Sequence, residues 1–512
     1  MSRFLPLLIF VIWMSSPASP PMDGVPLIPA CAVFLGTHVG LVLILAIWSR
    51  HVARSAHFTQ GQRRLRRLNT VIYASRILIP AWLGVGVFAL GWKQLITTLL
   101  QRLNLAALPL DLPGLFLGCL PSFATWMGLW WAQFPADRAL REQNILIQLN
   151  ENLPLQPPPS FRTYFFVNLR LQLLFTIAPA LLLITLHDIL SLLLPPIFAH
   201  IPLLAGRQEV AESLISLPAL LIFLVFSPEL LRRVLHCHPL PDCPLRRRLF
   251  EIAGRHGIRF RDVLLWKTQN QMGNAAVMGF VPHFRYVLLS DLLLETMHDE
   301  QIEAIFAHEI GHVIHRHLYW LMAAMATLMF ALAGPGQMLA DTLSSLQGHH
   351  AWLADSVQMA IMLGAAIGLF ALVFGYVSRK FERQADVFAA RTIQTAAALQ
   401  PVAIANENLT DFPQSAIALE DAPSESPADH VGRRGAAVFC SALERVAAVN
   451  NIPIAARSWC HGSIAKRMRY LEFLSRDSRR TAQFDRFMVR LYLILIVSLL
   501  SFGVWTMYVM KG

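Results

Sequence analysis

The sequence predicts a mostly α, polytopic membrane protein, with about eight transmembrane helices and a polar α+β domain set between them. Three observations carry that expectation. Of the 512 residues, 55% are hydrophobic and only 15% charged, against roughly 25% charged in a soluble globular chain. Apolar runs at 25–48, 72–92, 113–134, 171–194, 210–226, 318–333, 357–377 and 491–510 approach the roughly 20 residues that a helix needs to cross a hydrocarbon core. Arginine and lysine gather in alternate connections between these runs, as the orientation of a polytopic chain requires.

The connection 49–70 holds Arg50, Arg54, Arg63, Arg64, Arg66 and Arg67 and is expected on the cytoplasmic side. Alternation then places 135–170, 229–317 and 378–490 inside, with Arg138, Arg141, Arg232, Arg233, Arg246 to Arg248, Arg379, Arg433 and Arg434. The outer connections carry Lys93, Arg102 and Arg207, and 337–355 has no lysine or arginine. The net charge of +11 is therefore mostly a topology signal. No nucleic-acid partner is expected, because the arginine clusters flank membrane runs and do not form one face. The six cysteines show no paired spacing, so no disulfide framework is expected. Residues 1–21, with Arg3, an apolar stretch to Met14 and then Ser-Ser-Pro-Ala-Ser, read as a signal peptide or as part of the first membrane segment.

Residues 1–228 read as an N-terminal membrane module of about five spans. His187 and Asp188 fall in an apolar run, which is expected to end near Leu186 and leave them at the outer interface. Residues 229–317 form the first polar segment, with short β-type runs within 259–268, 274–279 and 285–290. A helix follows from about Thr296, which has capping-box spacing to Asp299, and is expected to merge into the span 318–333. Residues 318–377 make a transmembrane hairpin, and 378–490 a second polar segment that opens with a helix over 378–398. Within it, 399–432 reads as a mobile loop from its Pro, Ser, Ala, Asp and Glu content. Residues 491–512 are the C-terminal membrane helix.

His308-Glu309-Ile310-Gly311-His312 has the spacing of a metal-binding helix. Two histidines four apart share one helical face and can hold a single ion. Glu309 projects roughly 100° round the axis, near enough to reach a water on that ion without ligating it. A catalytic zinc site needs a third protein ligand and an open position. Leu318 stands where an extended motif would carry a third histidine, and His315 and His317 read as headgroup-level residues on the same helix. Glu382 is the better candidate. It precedes Asp386 by four residues, so Glu382 can ligate while Asp386 accepts the free ring N–H of a ligand histidine. The hairpin supplies an independent check, since His312 just precedes the run 318–333 and Glu382 just follows 357–377. Without the two histidines, Glu382 would read as a solvated acid in an arginine-rich helix. A further cluster, His236-Cys237-His238 with Cys243, matches no usual zinc-finger spacing.

Over roughly 255–475 the chain resembles the membrane zinc endopeptidases that include the type-I CAAX prenyl proteases and the bacterial heat-shock membrane protease. The resemblance rests on Asn274-Ala275, Arg285-x-Val287, Ala307-His-Glu-Ile-Gly-His312 with Arg316-His317, and Ser378-Arg379-x-x-Glu382-x-x-Ala385-Asp386. His461-Gly-Ser-Ile-Ala-Lys-Arg467 is similar to the family's His-Pro-x-x-x-x-Arg element, with Gly462 in place of proline. The resemblance implies Glu382 as third zinc ligand, Asn274 and Ala275 on an edge strand that holds substrate backbone, and His461 and Arg467 facing the tetrahedral intermediate. It also implies a cytoplasmic α+β zincin-like catalytic domain carrying a small sheet.

The expected function is zinc-dependent endopeptidase action, with one Zn2+ per chain, on membrane or membrane-associated polypeptides bound in extended form. The setting is the lipid bilayer, a bacterial inner membrane by the signal-like start. Cleavage of lipidated, CAAX-type tails is the alternative within the same chemistry. A signal-transducing protease would want a larger outer sensor than loops of about 20 residues, and a dead scaffold would be expected to lack one of His308, Glu309, His312 and Glu382. Cysteines introduced in 229–317 and 378–490 should label from the cytoplasmic side only; labelling from outside intact cells would overturn the assigned orientation.

Overall fold

The computed structural model describes residues 5–16, 18, 20–21, 25–54, 59–103, 112–150, 158–198, 208–332, 338, 351–399, 430–450, 452–456 and 458–509. The expected loop 399–432 lies almost wholly outside them. The first helices are α1 Leu5–Ser15, α2 Leu27–Arg54, α3 Thr59–Phe88, α4 Trp92–Arg102, α5 Leu112–Asn150, α6 Phe161–Asn168, α7 Phe175–Phe198 and α8 Gln208–Val234. There follow β1 Cys237–Pro239, α9 Pro244–Arg255, β2 Asp262–Trp266, β3 Ala275–Met278, β4 Tyr286–Ser290, α10 Asp291–Thr296, α11 Asp299–Ile314 and α12 His317–Ala331. The chain closes with α13 Ala351–Leu399, α14 Arg433–Val449, α15 Ile464–Ser475 and α16 Ser478–Val509. The strands form one sheet of order β1-β2-β4-β3, which leaves β3 at an edge.

Six stretches among the described residues are long and apolar enough to cross a membrane: Leu27–Arg54, Thr70–Phe88, Leu112–Ala139, Phe161–Leu194, Leu214–Val234 and Ser478–Tyr508. The run 318–333 forms the shorter apolar helix α12, and 357–377 lies inside α13. These helices make the chain an integral membrane protein.

By internal packing the chain divides into two units. One comprises Met1–Pro239, Leu264–Asn270 and Met278–Tyr286. Its core is aromatic and aliphatic, with Phe34, Leu68, Leu83, Trp126 and Trp130 fully buried. Gly118 lets α5 approach Trp13 of α1, since a Cβ there would lie 2.2 Å from the indole. Contrary to the expected end near Leu186, α7 runs on to Phe198, and Asp188 is buried at 5% exposure. His236-Cys237-His238 runs into the first strand. Cys237 is buried in β1 opposite Trp266 of β2, and His236 takes a left-handed φ of 55°.

The other unit comprises Leu240–Val263, Gln271–Val277 and Val287–Gly512. Cys243 caps α9 here, its sulfur accepting from the Arg246 N–H at 3.4 Å. The helix carrying the histidines starts three residues later than expected. Thr296 ends α10, and α11 is capped at His298, whose N–H donates to Gln301 Oε1 at 3.3 Å. Asp299 and Glu300 put negative charge on the first turn, where the helix dipole favours it. The helix also stops early. Arg316 adopts φ 54° and ψ 36°, so α11 and α12 are separate.

Small residues let the helices of this unit close on one another. Ala304 and Ala307 of α11 and Ala389 and Ala390 of α13 are almost fully buried in one core with Phe381 and Phe439, and Ala385 of α13 is fully buried as well. Gly435 of α14 packs against the α13 backbone: a Cβ there would lie 2.0 Å from the Ala390 carbonyl oxygen. Its N–H donates to Gln394 Oε1 at 3.0 Å. Gly435→Ala should therefore force the helices apart at a cost of about 1–3 kcal/mol. Thermal unfolding in detergent measures it, and an unchanged midpoint would show that α14 shifts without loss.

Candidate metal centre

Helices α11 and α13 each present an i, i+4 pair toward the other: His308 and His312 from the first, Glu382 and Asp386 from the second. Gly311 sits at the crossing, where a Cβ would lie 3.4 Å from the Ala385 Cα and 3.1 Å from the Phe388 ring. A larger residue there would push the ligand-bearing backbones apart.

The side chains converge. Nε2 of His308 and Nε2 of His312 are 3.2 Å apart, and they lie 3.7 and 3.8 Å from the two carboxylate oxygens of Glu382. These separations bracket the roughly 3.4 Å edge of a tetrahedron whose metal–ligand bonds are about 2.1 Å. Among the described residues, His308, His312 and Glu382 are the one group of three or more metal-capable side chains whose ligand atoms fall within 4.8 Å of one another. Two imidazoles and a carboxylate suit zinc. The donor set fits such an ion.

Around the cluster, each candidate ligand is held by a further group. Asp386 Oδ1 lies 3.0 Å from His308 Nδ1, which aims the opposite nitrogen at the cluster. The Arg467 guanidinium grips Asp386 with two hydrogen bonds, 2.9 Å from Nε and 2.5 Å from Nη2, and comes within 3.6 Å of Glu382. His461 Nδ1 lies 2.8 Å from Glu382 Oε1, although its own ring is largely exposed. On the far side of His312, His317 Nδ1 lies 2.9 Å from His312 Nδ1, and His317 Nε2 lies 2.9 Å from Gln384 Oε1. The Tyr492 hydroxyl donates to the same Gln384 oxygen at 2.5 Å. His317 is buried and stacks on Phe381 at 4.4 Å between ring centres. It faces the protein interior and not the lipid headgroups expected of it.

Charge and burial tune the groups. Burial alone would lower His308, but the hydrogen bond and charge of Asp386 outweigh it and raise it. His312 has no such carboxylate, and burial with the His308 imidazole pushes it down to about 4. Burial alone would raise Glu382, but the hydrogen bond and charge of His461, with Arg467, hold it well below the usual carboxylate range. Burial pushes the Glu309 carboxyl up, against the nearby His308 and a backbone hydrogen bond from Val277 of β3. Edge strand β3 thus runs beside Glu309. Asn274 precedes it and pairs with Ser290, its N–H donating to Oγ at 2.9 Å and its carbonyl accepting at 3.0 Å. Ala275 is buried at the head of the strand.

The turn that carries His461 is pinned at Trp459. Its indole donates to the Ala371 carbonyl at 2.9 Å, and its own carbonyl accepts from Arg379 at 2.8 Å. Gly462 adopts φ 75°, which proline, fixed near −65°, cannot reach. The departure from His-Pro is therefore a different local backbone.

Asp386→Asn keeps the shape of the side chain but leaves Arg467 buried with a neutral partner, a loss of about 3–5 kcal/mol near neutral pH. Burial alone would raise the Asp386 carboxyl, but the Arg467 charge and the His308 hydrogen bond win and depress it below 3.8. The stabilisation is thus full above that value and is lost as the pH falls through the lower folded value. Denaturation of solubilised protein should show the gap to wild type narrowing below about pH 4; a gap that ignores pH would place the cost in packing.

Comparison with known proteins gives this geometry its context. Residues 239–469 match the model of peptidase family M48. A CAAX prenyl protease 1 homolog of Arabidopsis thaliana is 31% identical over 181 residues, 34% of this chain and 42% of that protein. Protease HtpX of Legionella pneumophila is 28% identical over 173 residues, 32% of this chain and 59% of that protein. The chain thus spans about half the length of these relatives. The crystal structure of S. mikatae Ste24p superposes with a TM-score of 0.46 at 15% identity, covering 87% of this chain and 100% of that one. Residues 239–469 are thus similar to peptidase family M48, a family of metalloproteases.

Proposed function

We propose that this protein is a zinc-dependent endopeptidase that cleaves membrane or membrane-associated polypeptides at the cytoplasmic face of the bilayer. The observation that carries the reading is the convergence of His308, His312 and Glu382 from two helices, with Glu309 one residue round from the first ligand. In this assignment His308, His312 and Glu382 hold one zinc ion per chain, and Asp386 orients His308. When bound, zinc supplies a Lewis acid that acidifies a water and polarises the scissile carbonyl.

Glu309 is the general base. Its raised carboxyl, set off the histidine face, accepts the proton of the attacking water and returns it to the leaving amine. His461, exposed beside Glu382, is placed to donate to the developing oxyanion. Arg467 contributes charge from behind, through Asp386 and Glu382. An extended peptide adds to edge strand β3 by main-chain hydrogen bonds, with Asn274 and Ala275 at one end of the contact. Asn450 steadies that approach, bonding both the N–H and the carbonyl of Gly273 at 3.0 and 2.7 Å.

The relatives are named CAAX prenyl protease 1 homolog and protease HtpX. The chain has no motif that reads a prenyl group, which favours general proteolysis. Purified protein should bind close to one zinc, and His308→Ala and Glu382→Ala should lose most of it. Glu309→Gln should keep the zinc while cleavage of an unfolded membrane substrate falls by about 10²–10⁴-fold. Normal cleavage by that variant would mean another base works, and loss of its zinc would make Glu309 structural. A farnesylated peptide cut far faster than its unmodified form would assign the processing role instead.

A further inference from the structure

Among the described residues, His312, unlike His308, has no carboxylate behind its outer nitrogen, which faces another histidine. The chain Tyr492–Gln384–His317–His312 can be wired in two directions, and only one leaves His312 able to ligate. In the first, the Gln384 carbonyl accepts from both Tyr492 and His317 Nε2. An imidazole that donates from Nε2 and is neutral has a bare Nδ1. That bare nitrogen accepts from His312 Nδ1 at 2.9 Å. His312 then carries its proton on the outer side, and its Nε2 lone pair faces His308 and Glu382. In the reverse wiring the Gln384 amide donates, His317 Nδ1 donates, and the His312 proton is driven onto Nε2, into the cluster.

We infer that Gln384 and His317 are positioning residues that lock His312 into its metal-ready tautomer, through a neutral relay instead of a carboxylate. The inference rests on the zinc assignment above. The second donor to Gln384 Oε1 makes the relay directional: a carbonyl oxygen has two lone pairs, and Tyr492 takes one of them. The stacked Phe381 holds the His317 ring at an interplanar angle of 2°, so it cannot swing to another partner without losing that contact.

The test uses the full-length protein in detergent and reads zinc affinity by chelator competition, together with the visible spectrum of the cobalt-substituted form. His317→Phe keeps the ring stacking and removes the acceptor; it should weaken zinc binding 10–100-fold and alter the cobalt spectrum, while the metal-free protein keeps its helix content. Gln384→Leu should lower affinity in the same way, and Gln384→Glu, which restores an acceptor-only group, should recover most of it. Wild-type affinity in His317→Phe would overturn the relay, as would equal losses in Gln384→Leu and Gln384→Glu, which would make Gln384 a packing residue. Absence of zinc from the wild-type protein would instead overturn the zinc assignment itself, so the two failures are separable.

Discussion

Everything at this site depends on how closely α11 can approach α13. Two helices that each carry a polar pair at i, i+4 make a four-point cluster only if their backbones nearly touch. Alanines at 304, 307, 385, 389 and 390, with Gly311 at the crossing, permit it. The apolar core formed by that approach is then the clamp that holds a polar site together. Phe439 shows how directly the two are joined, for it is buried in the core and also stacks on His308 with ring centres 5.6 Å apart. The burial that aligns the ligands is the same burial that shifts their protonation.

That burial imposes a charge balance. Glu309, Glu382 and Asp386 together offer three negative charges, and Arg467 returns one positive charge, which leaves a formal −2 when all are ionised. Buried carboxylates cannot stay ionised without compensation. Glu382 and Asp386 are compensated by Arg467 and the imidazoles, whereas Glu309 meets less help and is pushed toward its protonated form. A dication at the three ligand atoms would cancel the remainder. The arrangement therefore separates two acids held ionised from one held ready to take a proton, the division of roles that general-base chemistry needs.

Much of this was legible in the sequence, because the signals were local. A four-residue spacing on a helix fixes a shared face whatever the tertiary context, so His308 with His312 and Glu382 with Asp386 could be paired on paper. The short β runs were legible too, from branched and aromatic residues bounded by turn formers. What could not be read depended on partners far away in the chain. Asp188 looked like a residue that would end a membrane helix, yet α7 carries it inward as a buried group. Cys237 and His238 lie in a three-residue strand, which has too little pattern to announce itself, and only its pairing with β2 defines it. The cap at His298 was hidden for a related reason. Histidine is an unusual N-cap, and the better local signal at Thr296 was already committed to closing α10.

The break between α11 and α12 is the least legible feature and the one with the largest consequence. An uninterrupted helix would turn His317 roughly 140° round the axis from His312, since five residues at 3.6 per turn overshoot one turn by that amount. Their rings could not then meet. Instead Arg316, a residue with a Cβ, is held in the left-handed region at φ 54°, a conformation that costs roughly 1–2 kcal/mol. Such strain survives only where the surroundings over-determine it. Here the return is visible: the break re-aims α12 so that His317 turns back under His312 and meets Gln384 on the other side. The apolar run beginning at Leu318 gave every reason to expect a continuous helix, because hydrophobicity reports burial in lipid and says nothing about a single residue's φ. The strained residue sits between the histidine helix α11 and the apolar helix α12, so the two are joined by a fixed corner.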